Sequence, residues 1–416
     1  MSGARIERPR GTHDVVPAEQ PRWRLVVGEA ERLCNLYGYR PILTPVFEET
    51  ALFERTSGAG SDVVQKEMYT FEDRSGRSLT LRPEATAPIC RAYVEHGMHR
   101  DPQPAKLYTI ATMYRYAAPQ RGRFREHWQL SVEAIGSDDP AVDAELIALY
   151  HALLARLGVE EFRLELNSIG CPRCRPAYLE RLRAWLEENA QRLDEETLAK
   201  AAVNPLRVLD NLAAKPPAVR EALREAPAVG DSLCEECEER FALVRAHLDA
   251  AGVAYELVPT LVRGLDYYTR TTWEFVGPEE GAQSTLSGGG RYDGLVEEIG
   301  GPPTPGVGFG AGIERLVLAV ERAGVEAAPP AVDVFFAAEE GAPRERIAAW
   351  LQELRRRDVA ADTDYAGRSL KGQLTQAARL GAATVVVVGA AGASVRRPGR
   401  EDEQVPLDGV LQAVGA

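Results

Sequence analysis

Met113-Tyr-Arg-Tyr-Ala-Ala-Pro-Gln-Arg-Gly-Arg-Phe-Arg-Glu-His-Trp-Gln-Leu-Ser-Val-Glu133 reads as strand, loop and strand. The first strand begins at Lys106 and the second runs from Glu126 to Ile135. Aromatic and β-branched residues on both sides of a Pro/Gly-containing loop predict an antiparallel pair. Arg115 is placed on the first strand, and Arg121, Arg123 and Arg125 on the loop. A rigid guanidinium beside mobile ones suits a polyphosphate or an RNA end. Gln129, Ser131 and Glu133 share one face by the period of two. Polar residues aligned within an apolar strand fit a cavity lining, and the pattern alone fits a solvated face as well.

Working outward, apolar residues from Gln20 to Gly38 recur at helical spacing. Pro41–Phe47 reads as a strand interrupted by Pro45, which places it at an edge or a subunit boundary. Met68–Phe71 and Ser78–Arg82 form a hairpin. Ala141–Leu157 reads as a helix, with strands at Phe162–Leu166, Tyr255–Val258 and Thr271–Phe275. Residues 170–250 are rich in Ala, Glu, Arg and Leu and read as a helical insertion. A helix from Gly310 to Ala323 precedes a linker at 327–331. Beyond it, strands at Val332–Phe336, Val359–Asp362 and Thr384–Val388 alternate with helices at Pro343–Arg357 and Ser369–Leu380, predicting a small α/β domain with a largely parallel sheet. The expected domains are 1–169, the insertion 170–250, 251–326, the linker 327–331, and 332–416.

Composition narrows the function. The chain has 416 residues, 45% of them hydrophobic and 27% charged, which excludes a disordered or fibrous protein. The longest largely apolar run, 382–393, is too short to span a bilayer. The first ten residues have no apolar core of a secretory signal, so a cytoplasmic location without membrane contact is expected. A net charge of −13 excludes generic binding to polyanions. Any nucleic-acid site must be local, and with five lysines among 49 basic residues it must be built of arginine forks. Residues 332–416 carry 11 basic and 12 acidic residues, nearly neutral within an acidic chain.

Four further segments carry polar groups in unusual company. In Leu81-Arg-Pro-Glu-Ala-Thr86, Glu84 and Thr86 stand two residues apart after a strand and could hold an ammonium group, although Glu84 alone reads as exposed. Leu261-Val-Arg-Gly-Leu-Asp-Tyr-Tyr268 buries Arg263, Tyr267 and Tyr268 among apolar residues. Ser287-Gly-Gly-Gly-Arg-Tyr-Asp-Gly294 permits close backbone approach to a ligand. Gly306-Val-Gly-Phe-Gly-Ala-Gly-Ile-Glu-Arg315 places Arg315 one turn into a helix, where helix terminus and guanidinium both favour an anion. Among the six cysteines, Cys34 and Cys90 read as small buried hydrophobes. Cys171-Pro-Arg-Cys174 and Cys234-Glu-Glu-Cys237 have the spacing of a four-thiolate zinc site, and reduced structural thiols fit equally well.

Together these segments resemble the histidyl-tRNA synthetases, a class II aminoacyl-tRNA synthetase family, over almost the whole chain from Arg10-Gly-Thr12 onward. Leu261–Tyr268 and Ser287–Gly294 resemble the two histidine-specific signature peptides. The segment around Arg115 is similar to motif 2, that around Arg315 to motif 3, and the first helix with the Pro45 strand to motif 1, the dimer-forming element. The resemblance implies an α+β fold with an antiparallel-sheet catalytic core, a helical insertion and a C-terminal α/β anticodon-binding domain. Asp362–Lys371 is the clearest stretch of that last domain.

The implied activity joins L-histidine to ATP, releases pyrophosphate, and passes the histidyl group to the 3′ end of tRNA(His) in a homodimer. Arg115 and Arg263 would act at the α-phosphate and Arg315 at the γ-phosphate, with Mg2+ bridging phosphate oxygens. Arg123 and His127 would complete the ATP site. Glu84 and Thr86 would hold the α-ammonium, Gln129 would lie near the carboxylate, and Glu133 and Tyr268 would bind the imidazole beside Tyr267. Three positions depart from the pattern: Ala117 replaces an adenine-reading Glu, His127 replaces a stacking Phe, and Ala85 replaces a Gly. The regulatory subunit of ATP phosphoribosyltransferase, which binds histidine and charges no tRNA, is a related alternative that lacks the anticodon-binding domain.

Overall fold

A computed structural model describes residues 5–57, 63–118, 121–210, 212, 215–279, 284–329 and 331–415. Pro119 and Gln120 of the basic loop, Pro330 of the linker and the first four residues lie outside that set. The chain divides into two units, Met1–Glu326 and Ala327–Ala416. Among the described residues, no helix is long and apolar enough to cross a membrane.

In the first unit, α1 (Gln20–Leu36) leads to β1 (Arg40–Pro41), β2 (Phe47–Glu49) and α2 (Thr50–Ser57). The hairpin of β3 (Tyr69–Glu72) and β4 (Ser78–Leu81) precedes α3 (Thr86–Glu95), β5 (Ala105–Tyr114), β6 (Glu126–Ile135), α4 (Pro140–Arg156) and β7 (Arg163–Ser168). The insertion is helical as expected: α5 (Arg175–Glu188), α6 (Glu195–Val203), α7 (Pro217–Arg224) and α8 (Glu235–Ala250). Then come β8 (Glu256–Leu257), β9 (Thr269–Val276), β10 (Thr285–Arg291), α9 (Leu295–Glu298), β11 (Gly306–Gly312) and α10 (Ile313–Arg322).

The main sheet runs β1-β5-β6-β11-β10-β9-β7-β8. Its two outer pairs, β1·β5 and β7·β8, are parallel and the inner ones antiparallel. This is the expected α+β architecture. The segment around Pro45 contributes two short strands, with β1 at the sheet edge. The backbone between them accepts the Arg82 guanidinium on the carbonyl oxygens of Thr44 and Pro45.

Alternation divides the sheet into two faces. Leu130, Val132 and Ala134 of β6 pack with Leu33 of α1, Leu146 and Tyr150 of α4, and Leu316 of α10. The opposite face meets α3, α5 and the Leu261–Tyr268 loop. Helix α4 starts at Asp139 because its carboxylate accepts the Ala141 amide at 2.9 Å and Pro140 needs no partner for its nitrogen.

A buried ion pair ties β10 to α4: Arg291 donates to both carboxylate oxygens of Asp143, and both side chains are almost wholly excluded from solvent. Arg291 also meets Ser137 O at 2.9 Å and Asp293 at 3.2 Å. Asp143→Ala leaves that guanidinium buried without its main partner. Its expected cost is about 3–5 kcal/mol, read as a lowered urea midpoint, and an unchanged midpoint rules out the pair as an anchor of the sheet.

The second unit contains β12 (Val334–Ala338), α11 (Arg344–Arg356), β13 (Ala361–Thr363), α12 (Leu370–Arg379), β14 (Thr384–Val388), β15 (Gly392–Arg396), β16 (Glu403–Pro406) and α13 (Val410–Ala413). Its sheet order is β13-β12-β14-β15-β16. The first three strands are parallel, as expected. Strands β15 and β16 form an antiparallel extension that the α/β alternation does not predict.

Candidate active site

The floor of the site is the central pair β6·β11, where Glu133 faces Gly308 and Gln129 faces Gly312. A Cβ on Gly308 would lie 1.8 Å from Glu133 Oε2, so the glycine there makes room for a buried carboxylate. Gly310 and Gly312 therefore belong to a strand rather than to the helix start read from the sequence, and α10 begins at Ile313. A cleft of about 220 Å³ opens above this floor. Glu84, Thr86, Arg115, Arg123, His127, Gln129, Arg263, Tyr267, Tyr268 and Arg315 all line it.

Glu133 sits just beneath the lining and is fully buried. Thr86 Oγ1 donates to its Oε1 at 2.8 Å and Tyr292 Oη to its Oε2 at 2.6 Å. Burial pushes its carboxyl up to about 8, and the two hydroxyl donors only partly oppose this. The Tyr267 and Tyr268 rings lie 4.7 Å apart beside it, and burial raises both phenols. Tyr292 was not among the expected site residues. Its place in the second signature peptide, directly after Arg291, is the signal that marks it.

Glu84 is 3% exposed, not the exposed carboxylate its local sequence suggests. It accepts the Thr86 and Ala87 amides at 2.6 and 3.0 Å and so caps α3. Burial raises its carboxyl, against those amides and Arg115. Gln129 Nε2 donates to Ser131 Oγ at 2.8 Å, and Ser131 and Glu133 are buried, so this face of β6 is a cavity floor and not a solvated surface.

The other end of the cleft is cationic. Arg115 lies one residue past β5, not on it, and is held by Nε donating to Pro83 O at 2.7 Å. Arg123 pairs with Glu67 at 3.1 Å. Arg263 is ion-paired with Glu274 and lies over Gly288, where a Cβ would come within 2.4 Å of its guanidinium carbon. The three glycines of that peptide form part of β10, and Gly288 serves the approach of Arg263. Arg315 donates to Thr285 O, and its guanidinium is destabilised by burial and then by Arg123 and Arg115. His127 is depressed to about 3 by burial and by Arg115, Arg315 and Arg123, so it is neutral at any physiological pH. Its Nδ1 is buried without a partner among the described residues. Glu314 is pushed up to about 7, chiefly by burial, and accepts the Trp128 amide at 2.9 Å. Arg121, by contrast, is largely exposed and lies 3.7 Å from Glu321.

One cleft thus joins a polyanion pocket to a buried carboxylate flanked by hydroxyls. Such a site can hold a triphosphate beside a small ring that both donates and accepts. The four paired cysteines lie in a separate cluster, their Sγ atoms all within 4.8 Å of one another.

A family model described as histidyl-tRNA synthetase matches residues 11–316. The histidine–tRNA ligase of Desulforudis audaxviator is 49% identical over 92% of this chain and 91% of its own length. That of Moorella thermoacetica is 47% identical over 97% and 96%. The apo S. aureus histidyl-tRNA synthetase structure superposes with a TM-score of 0.81 at 36% identity, over 99% of this chain and all of the other. A Bacillus halodurans structure described as an ATP phosphoribosyltransferase regulatory subunit/histidyl-tRNA synthetase superposes at 0.67 with 24% identity over 93% and 99%, a likeness of fold. On the family match and the near-complete coverage by relatives at close to half identity, the chain belongs to the histidyl-tRNA synthetase family.

Proposed function

We propose that this chain activates L-histidine with ATP and transfers it to tRNA(His). The observation that carries this reading is the junction, in one cleft, of four arginines with the Thr86–Glu133–Tyr292 network. Arg123 and Arg263 carry the carboxylate partners Glu67 and Glu274, and four guanidiniums converging on one cleft suit a triphosphate. Glu133 and Tyr268 suit the two imidazole nitrogens, and Glu84 and Thr86 the α-ammonium.

The attacking carboxylate of histidine is already ionised, so adenylation needs no general base. The protein aligns the carboxylate with the α-phosphate and stabilises the charge that builds there. Arg115 and Arg263 supply the guanidiniums at that phosphate and Arg315 the one at the γ-phosphate. His127 lines the cleft as a neutral ring and stacks on the adenine. Glu314, a cleft carboxylate with one oxygen on the Trp128 amide, fits a hard cation and would hold Mg2+ against the phosphates. That ion, when bound, neutralises phosphate charge.

The protein acts in the cytoplasm as a homodimer in this reading. Leu43 is 81% and Phe47 49% exposed in the segment resembling motif 1, and Phe71 lies against Phe47, an apolar surface that a second copy would cover. The second unit serves as the anticodon-binding domain. Its Asp362–Lys371 segment exposes Tyr365 beside Arg368 and Lys371, an aromatic and basic set suited to stacking single-stranded bases.

Purified protein is expected to exchange labelled pyrophosphate into ATP only when histidine is present, and to charge tRNA(His). Calorimetric histidine binding without exchange overturns this reading in favour of a regulatory paralogue.

A further inference from the structure

Four cysteines with no role in the cleft meet at the two ends of the helical insertion. Cys174 stands immediately before α5 and Cys234 immediately before α8, with Cys171 and Cys237 three residues away from them. None is disulfide-bonded. The Cys171–Cys174, Cys171–Cys234 and Cys174–Cys237 sulfur distances are 3.7, 3.8 and 3.9 Å. A tetrahedral zinc ion with Zn–S bonds of about 2.3 Å separates its sulfurs by about 3.8 Å. Two helix N-termini point partial positive charge at the cluster, which favours thiolates. Four thiols at this spacing in a largely buried pocket match a metal site better than chance packing.

The cluster grips one particular stretch of backbone. Arg270 N donates to Gly170 O at 2.9 Å, and Ile169 N to Arg270 O at 2.8 Å. From the residue directly after the first knuckle, Arg175 Nη2 reaches Tyr268 O at 2.7 Å. From inside the second, Glu236 accepts Arg270 Nη2 at 2.7 Å. Arg270 has φ +55°, a left-handed conformation that a non-glycine residue holds only when its surroundings enforce it. Both knuckles thus fix residues 268–270, the exit of the loop that carries Tyr267 and Tyr268 into the cleft.

We propose that Cys171, Cys174, Cys234 and Cys237 bind one zinc ion, and that this centre positions the tyrosine loop for histidine. The metal part stands on the sulfur geometry alone; the histidine part rests on the function proposed above. Arg175 is the positioning residue between the two.

Protein purified without chelators is expected to contain about one zinc per chain. Exchange for cobalt should give thiolate-to-cobalt charge-transfer and tetrahedral d–d absorption. Removing zinc with an organomercurial should weaken histidine binding about tenfold while ATP binding stays near its starting value. Arg175→Ala should retain zinc and show the same selective loss, so a misfolded cysteine variant is not needed. Zinc well below one per chain, with no cobalt thiolate bands, overturns the site. A folded zinc-free protein with unchanged histidine affinity overturns the coupling. Holoprotein that binds zinc and no histidine refutes the functional reading, and with it the coupling, while the metal site stands.

Discussion

Arg263→Ala is expected to slow histidine-dependent ATP–pyrophosphate exchange by about 10²–10³-fold, the usual loss when one preorganised donor to a developing charge is removed. The fold should survive, because Arg263 stands on a loop and its side chain lines the cleft rather than the core. Two effects add. The guanidinium that meets charge at the α-phosphate disappears, and Glu274 loses its ion-pair partner and keeps an uncompensated negative charge behind the cleft wall. These separate in the double variant Arg263→Ala with Glu274→Gln, which should regain ATP affinity and leave kcat low. Gly288→Ala should mimic the single variant, since its Cβ would occupy the place of the guanidinium. Near-normal exchange in Arg263→Ala would remove this residue from the chemistry.

How much of this was legible in the sequence depended on whether the information was local. The hairpin of β3 and β4, the pair β5·β6 and the insertion helices follow from alternation, helical spacing and turn residues, which act within a few positions. Strand β11 did not, because Gly306, Gly308, Gly310 and Gly312 carry no strand propensity. What makes it a strand is the space that Glu133 and Gln129 need opposite it, and that is set by β6. Strands β15 and β16 were hidden by the charged, Pro398- and Gly399-containing turn between them. Burial was the other loss. Glu84 looks like any carboxylate after a proline, yet it is enclosed by helix α3, whose first amides it caps, and by Arg115 from a strand end. Tyr292 is marked only by its place in the second signature peptide, and the fold brings its hydroxyl to Glu133. The arginines, the tyrosine pair and the cysteine pairs were legible because such residues in apolar or glycine-rich company need partners wherever the chain takes them.

Glu133→Gln should weaken histidine binding by about 10²–10³-fold, leave ATP binding nearly unchanged and make the empty protein more stable in alkaline buffer. The carboxyl is raised from 4.5 to about 8 by burial. Below pH 4.5 it is protonated in both folded and unfolded chains, and its contribution to stability is fully present. Between 4.5 and 8 the folded chain holds one proton that the unfolded chain releases, so stability falls as pH rises and is lost above the folded value. Glutamine does not titrate, and the difference in melting temperature between variant and wild type should therefore grow across that window. Binding depends on the same proton. Free imidazole titrates near about 6.5, so between that value and about 8 carboxyl and ring together carry one proton, the state in which each nitrogen of the ring finds a complementary partner. Wild-type affinity should fall below that interval, where a charged ring meets a neutral carboxyl, and should change again as the carboxyl ionises near about 8, a step the glutamine variant lacks. A variant with equal losses for histidine and ATP, or with the wild-type pH profile, would place the imidazole elsewhere in the cleft. The carboxylate that weakens the fold is thus the one that reads the substrate, and Gly308, Thr86 and Tyr292 hold it in place despite its cost.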